Sequence, residues 1–158
     1  MSSEAFLELI DAHQNIIYKI TRTYRDTRED QEDLFQEIVF QLWKSYGSFR
    51  QEAKISTWIY RIALNTAIAM YRKKKVAMNY QEKMPENIHP SDYQEISENE
   101  ERMYQALRQL NDVEKAVVSL YLEDYSYQEI AQITGISENY VGVRINRIKQ
   151  KLKKILTV

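Results

Sequence analysis

Cysteine is absent from the 158 residues, so disulfide frameworks, thiolate metal sites and cysteine nucleophiles are all excluded, and the composition fits a reducing compartment. Glycine occurs three times and proline twice, roughly 3% together against the ~12% of an average chain. A turn-rich β-sandwich or barrel needs far more of both, which leaves an all-α fold as the expectation. Histidine is nearly as scarce, with only His13 and His89. Glu86-Asn-Ile-His89 has carboxylate–imidazole metal spacing, but it stands alone and Pro90 follows it. With no phosphate-cradling glycine loop either, the residues offer no metal site, no cofactor and no catalytic centre, and the chain does not read as an enzyme. Long apolar runs are missing too. The longest stretch free of charge is ten residues, Ile62 to Tyr71, whereas a membrane-spanning helix requires about 20. The N-terminus, with Glu4, Glu8 and Asp11, lacks the basic-then-apolar order of a signal peptide. The expectation is a soluble, cytoplasmic protein without membrane insertion.

What the chain does have is charge, unevenly placed. The net formal charge is −1, yet from Ala53 to Gln81 there are six basic residues (Lys54, Arg61, Arg72, Lys73, Lys74, Lys75) and no acid. Val76 to Met103 then carries seven acids against Lys83 and Arg102. From Asn139 to the end there are again six basic residues and no acid. Lysines gather at helix C-termini in any case, where they complement the macrodipole. Two such blocks around an acidic stretch point further, to a polyanion held at two places.

Apolar spacing locates the helices. Phe6, Leu9, Ile10, Ile16, Ile17 and Ile20 recur at helical intervals, which predicts one amphipathic helix over Ser3 to Tyr24. Thr27-Arg-Glu-Asp30 has the form of a capping box and opens a second helix that Gly47 ends. Ser48 to Ile55 has no period, and Ser56 is placed to cap a third helix reaching to about Lys75. On that helix Ile59, Ile62, Ala63, Thr66 and Met70 make the core line. Arg61, Asn65 and Arg72 fall within about 40° of one another and form its main polar exit. Between Val76 and Ser97 the period is lost and Pro85 and Pro90 appear, the marks of a linker. Helical signals resume at Ser97-Glu-Asn-Glu100, Asn111-Asp-Val-Glu114 and Ser126-Tyr-Gln-Glu129, and Ser137 caps the last helix. The expected architecture is therefore two small helical domains, 1–75 and 98–158, joined by an acidic linker over 76–97.

The most specific constellation lies in the second domain. Ala131 supplies the small residue that a helix-turn-helix needs at its helix crossing, and Gly135, four positions later, tolerates φ > 0 in the turn. Ile130, Ile136, Val141 and Ile145 sit where the miniature core belongs. At ~100° per residue, Val141, Ile145, Ile148, Leu152 and Ile155 share one face of the last helix. The opposite side carries Asn139, Val143, Asn146 and Gln150, flanked by Arg147 and Lys153, and these are the side chains able to enter a major groove. Arg144, about 60° from the apolar line, suits phosphate or packing better than bases. Asparagine and arginine read adenine and guanine, whereas lysine mainly neutralises phosphate. A helical hairpin that binds a protein rather than DNA is the competing reading of the same pattern.

Three segments add a resemblance: Asp33-Leu-Phe-Gln-Glu-Ile-Val-Phe-Gln-Leu-Trp43, Tyr46-Gly-Ser-Phe49 and Ser56-Thr-Trp-Ile-Tyr-Arg-Ile-Ala-Leu-Asn65. In that order and spacing they resemble region two of the extracytoplasmic-function sigma factors of bacterial RNA polymerase. The helix-turn-helix, with Leu110 and Glu114 before it, resembles their region four. The resemblance implies a subunit that docks on core RNA polymerase, places it on promoter DNA and helps open the duplex. It implies that Asp33, Gln36, Glu37 and Gln41 meet the clamp helices of the largest subunit. By the same resemblance Phe49 and Asn65, with Arg61 and Arg72 on the same stripe, lie near the flipped base of the minus-ten element. Trp58 and Tyr60 are also able to stack there, although aromatics at such spacing are more often core. Asn139, Tyr140, Val143, Asn146, Arg147 and Lys153 match the minus-thirty-five reader. Many relatives are held by an anti-sigma factor. Two departures stand out: Asn139-Tyr140 replaces the family's frequent Gly-Thr, and Gly142 replaces a common basic residue, so the family's upstream sequence does not carry over. A transcription regulator that binds duplex DNA without joining the polymerase would explain the second domain but leave the Asp33 to Asn65 pattern without a role.

Overall fold

Chemistry at the helix ends accounts for most element boundaries in the computed structural model, which describes residues 3–49, 54–72 and 95–157. Their regular structure is helical throughout: α1 (Ser3–Tyr24), α2 (Arg28–Tyr46), α3 (Ile55–Arg72), α4 (Glu98–Arg108), α5 (Asp112–Leu122), α6 (Tyr127–Thr134) and α7 (Glu138–Leu156). The chain divides into two compact units, Met1–Gln94 and Glu95–Val158. The expected linker, as far as residue 94, lies outside the described residues, as do Lys73 to Lys75, the Glu86–His89 pair and the side chain of Arg72.

The caps work as short polar side chains should. Thr27 accepts the Asp30 N–H at 3.1 Å. Ser97, Asn111 and Ser126 each form a reciprocal capping box with the glutamate three residues on, and Ser137 accepts the Tyr140 N–H at 3.3 Å. A cap of this kind is typically worth about 1 kcal/mol. Ser56 is not one of them. The third helix starts two residues earlier than the sequence implies, with the Trp58 N–H bonded to the Lys54 carbonyl at 3.1 Å, so Ser56 lies inside its first turn. Gly47 ends α2 in ordinary right-handed backbone. Gly135, by contrast, sits at φ 80° and donates its N–H to the Ala131 carbonyl at 2.8 Å, closing the turn between α6 and α7. A side chain is strained there by the backbone alone.

In the first unit each of the three helices packs on the other two. Phe6 of α1 is fully buried and meets Trp43 of α2 edge to face, ring centroids 5.0 Å apart. α1 bends at His13, whose φ of −122° and ψ of 15° leave the helical basin. The corner between α1 and α2 is strapped to α3 by polar bonds: Gln31, buried, donates to the Arg25 carbonyl at 3.0 Å, and Arg25 donates to the Ala67 carbonyl at 3.2 Å. On α3 itself the core line is rotated by roughly 60° from the sequence reading. Ile59, Ala63 and Thr66 are buried as expected, but Tyr60, Leu64 and Ala67 are buried with them, while Ile62 and Met70 are only half-buried. A helix apolar nearly all round does not declare its own orientation, and the small Ala63 and Ala67 let the neighbouring helices approach that side closely.

The second unit is built around α7, which packs on α4, α5 and α6. Val141, Ile145 and Ile148 are buried against the apolar side chains of those helices, among them Leu107, Val117, Leu120 and Ile130. Ile145→Ala is expected to cost about 2–5 kcal/mol through the cavity it leaves. Gly135→Ala should cost about 1–2 kcal/mol, because nothing lies within 4 Å of the added methyl and backbone strain is its whole penalty. Thermal and urea unfolding of the full chain would measure both.

Candidate nucleic-acid interface

The rotation of α7 sorts its side chains. With the core line turned inward, Asn139, Tyr140, Val143, Asn146, Arg147, Gln150 and Lys153 are exposed, and Asn139, Val143, Asn146 and Gln150 lie within about 30° of one line. Every upstream-element residue expected from the sequence therefore stands on the outer surface of one helix. Val143 and Tyr140 keep 42% and 45% of their surface in water.

Three other cations of this helix, Lys151, Lys149 and Arg144, are engaged inside the domain. Lys151 Nζ donates to Glu114 Oε2 at 2.6 Å. Lys149 Nζ lies 4.9 Å from the centroid of the Tyr121 ring, and the hydrogen bond to Tyr121 raises its pKa above the ordinary lysine value. Glu114 and Tyr121 both belong to α5, while Lys149 and Lys151 flank the apolar line of α7 on opposite sides, so α5 clasps α7 from both flanks. Arg144, half-buried, sets its guanidinium 4.9 Å from the Tyr140 ring centroid. Of the two roles the wheel left open for it, phosphate contact or packing, this geometry is a packing contact. On the far side, the ring of Tyr127 lies over Gly142: a Cβ there would stand 3.3 Å from Tyr127 Cε2.

Glu114 is the buried charge of this unit. Burial alone would raise its pKa, but the Lys151 hydrogen bond, the Asn111 N–H and the charges of Lys151 and Arg144 outweigh that and hold the carboxyl below its ordinary value. None of these long-range pairs was legible in the sequence, where Glu114 showed as half of a capping box and as part of the region-four resemblance but not as a partner of Lys151. The pair spans 37 positions, and no local pattern signals such a distance.

In the first unit, α3 turns Arg61 and Asn65 to the solvent, on the side opposite its core line, and exposed Ala69 continues the stripe. The same face begins at Trp58, which is half-buried and stacked on Phe49, ring centroids 4.6 Å apart and planes 30° off parallel. The structure thus unites Phe49, Arg61 and Asn65 with an aromatic pair at the head of the stripe. It removes Tyr60, which is only 3% exposed and points into the core, from the possible stacking residues. On α2 Asp33 is exposed and Gln36, Glu37 and Gln41 are half-buried. Gln41 donates to Glu37 at 2.9 Å. Among the described residues no group of three or more His, Asp or Glu is placed to hold a metal ion, and no helix is long and apolar enough to cross a membrane.

Comparison with known proteins gives this geometry its context. Residues 9–76 match the family Sigma-70 region 2, and residues 100–152 match Sigma-70, region 4. The ECF RNA polymerase sigma factor SigW of Bacillus subtilis is 29% identical over 167 residues, covering 97% of this chain and 89% of that protein. The RNA polymerase sigma factor YlaC of the same species is 30% identical over 153 residues, covering 92% and 87%. The chain belongs to the extracytoplasmic-function sigma factors. In fold, this sigma factor is similar to the sigma factor RpoE of Bartonella quintana, solved in complex with the anti-sigma factor NepR, with a TM-score of 0.69, 20% identity and coverage of 98% and 96%. The region 2 match spans α2 and α3 with all the polymerase and minus-ten candidates, and the region 4 match spans the upstream-element candidates except Lys153.

The Glu114 carboxylate sets a pH dependence for this sigma factor. Because its pKa is lower folded than unfolded, it contributes stability that is fully present above the unfolded value and is lost as the pH falls through the folded one. Glu114→Gln should therefore destabilise the protein at pH 7, and the gap to the natural chain should close as the pH drops below about 4. Lys151 is half-exposed, which keeps the difference at pH 7 to about 1 kcal/mol. Urea unfolding across that pH range would read the convergence.

Proposed function

We propose that this sigma factor works by three contacts, centred on three separate helices. Asp33, Gln36, Glu37 and Gln41 on α2 dock on the clamp helices of the largest polymerase subunit. Phe49, Arg61, Asn65 and Arg72 receive the melted minus-ten strand. Asn139, Tyr140, Val143, Asn146, Arg147 and Lys153 on α7 read the minus-thirty-five element. The observation that carries this reading is the exposed stripe of α3, opposite the core and headed by the Phe49–Trp58 stack. Extruding a base costs a few kcal/mol, and hydrogen bonds to its edge together with stacking must offset that. An amide and a guanidinium along one helix face, with the Trp58 ring at its head stacked on Phe49 from the segment after α2, supply both kinds of contact.

Docking comes before melting in this scheme. The free protein binds promoter duplex weakly and leaves it closed, whereas its complex with core polymerase binds and opens it. The protein acts in the cytoplasm, where the polymerase is. As with the Bartonella sigma factor solved with NepR, an anti-sigma factor is the proposed regulator.

Two substitutions separate the contacts. Asn65→Ala removes an exposed amide and leaves the core untouched, so stability should change by less than about 1 kcal/mol while permanganate reactivity of promoter thymines falls. Asp33→Arg should instead weaken capture of core polymerase before any DNA step. Unfolding of both variants, or normal run-off transcription by both, would contradict the proposed roles. A chain that binds promoter duplex but never co-purifies with polymerase would be a regulator of another kind.

A further inference from the structure

We propose that α7 reads an A·T-rich segment of the upstream element, with Asn139 and Asn146 bonding adenines and Val143, beside Tyr140, covering thymine methyl groups. The inference rests on the reading of α7 as the helix that enters the major groove.

Spacing comes first. Asn139, Val143 and Asn146 stand at i, i+4 and i+7 on one line of α7, all exposed. At 1.5 Å per residue the row is about 10 Å long, the length of about three base-pair steps at 3.4 Å each. Chemistry then assigns partners. An asparagine amide matches the N7 acceptor and N6 donor of adenine, a pattern that no other base presents in the major groove. Neither Asn139 nor Asn146 spends its amide on a hydrogen bond within the described residues, so both are free to reach a base.

Val143 decides the middle of the row. Its methyls offer no donor or acceptor, so pressing them against guanine O6 and N7 or cytosine N4 would strip water from those groups and return nothing. The thymine 5-methyl is the one apolar group on the floor of the major groove. A valine left 42% exposed at the centre of the groove-facing row therefore selects thymine, by contact and by exclusion. Tyr140, 45% exposed, adds a second apolar surface, backed by the Arg144 guanidinium.

The cations around the row fit the same assignment. Lys149 and Lys151 are directed to Tyr121 and Glu114, and Gly142, over which the Tyr127 ring lies, has no side chain to put a charge beside Val143. Arg147 is left as the guanine reader at the edge of the row. Recognition by α7 therefore leans on amide and methyl contacts at its centre, with phosphate contacts at its margin.

The test uses the complete sigma factor assembled with core polymerase. Promoters randomised in the upstream element are selected for binding, and the enriched element is then resynthesised with single-atom-group changes. The selection should enrich three or more consecutive A·T pairs. Deoxyuridine in place of the thymine facing Val143 removes only the methyl, and should weaken binding about four-fold for the natural chain and by clearly less for Val143→Ala, whose single methyl keeps only part of the contact. 7-Deazaadenine at the position facing Asn146 should cost about five-fold or more, and nothing for Asn146→Ala. Enrichment of G·C pairs along the row, or tolerance of deoxyuridine at every thymine, would overturn the inference while transcription from the selected promoters left the sigma-factor mechanism standing. A holoenzyme that selects no promoter and makes no run-off transcript would overturn both.

Discussion

Which way α7 faces is settled by the burial of Val141, Ile145, Ile148 and Leu152, and nearly everything attributed to the second unit depends on it. Each of these side chains gains about 1.5–3 kcal/mol from leaving water. Rotating the helix by even a quarter turn would expose several of them while burying Asn146 or Arg147. The direction of the exposed row is thus a by-product of the core. Clasping contacts from α5, one on each flank, then resist the smaller rotations that apolar packing tolerates. The Lys151–Glu114 pair is half open to solvent, so its contribution to stability is small. Its importance is geometric, because it ties the flank of α7 to a carboxylate that is itself fixed by the cap of α5.

The first unit solves a different problem with the same means. Its third helix is apolar around most of its circumference, yet it must keep one side open. Small alanines on the inner side allow close approach, and the outer side carries Arg61, Asn65 and Ala69. Trp58 stands on that outer side as well, and its ring is sheltered by Phe49 rather than by the core. An aromatic pair that shields itself can stay near solvent without becoming a large exposed patch. Such a pair is available to a third flat ring.

Local features were legible in the sequence and distant ones were not. Helix starts at Ser97, Asn111, Ser126 and Ser137 follow from a hydroxyl or amide and the residues within three positions of it. The φ of Gly135 follows from the tight turn it must make. The rotation of α7 was readable because its apolar residues form a single narrow line. On α3 the same method misplaced the core, since Ile62, Leu64, Ile68 and Met70 offer competing lines and only packing against α1 and α2 chooses among them. Tyr60 went inward for that reason. Ser56 looked like a cap because its type is right, but the backbone enters the helix at Lys54 and Ile55. The pairs Glu114–Lys151, Tyr121–Lys149 and Tyr127–Gly142 join residues brought together only by the fold. The basic block at the C-terminus therefore looked more available to DNA than it is.

The reciprocal caps at Ser97, Asn111 and Ser126 bear on how this protein reaches its structure. Starting a helix is its slowest thermodynamic step, because a full turn of backbone must be ordered before the first hydrogen bond forms. A box that ties the first turn to itself from both ends reduces that barrier using residues three apart in sequence. Three consecutive helices of the second unit are equipped in this way, so each begins from its own nucleus and waits only for α7 to collect them. Chains whose early contacts are this local fold on the microsecond-to-millisecond side of the range. For a freshly made polypeptide, that shortens the time during which the apolar line of α7 stands uncovered among other proteins.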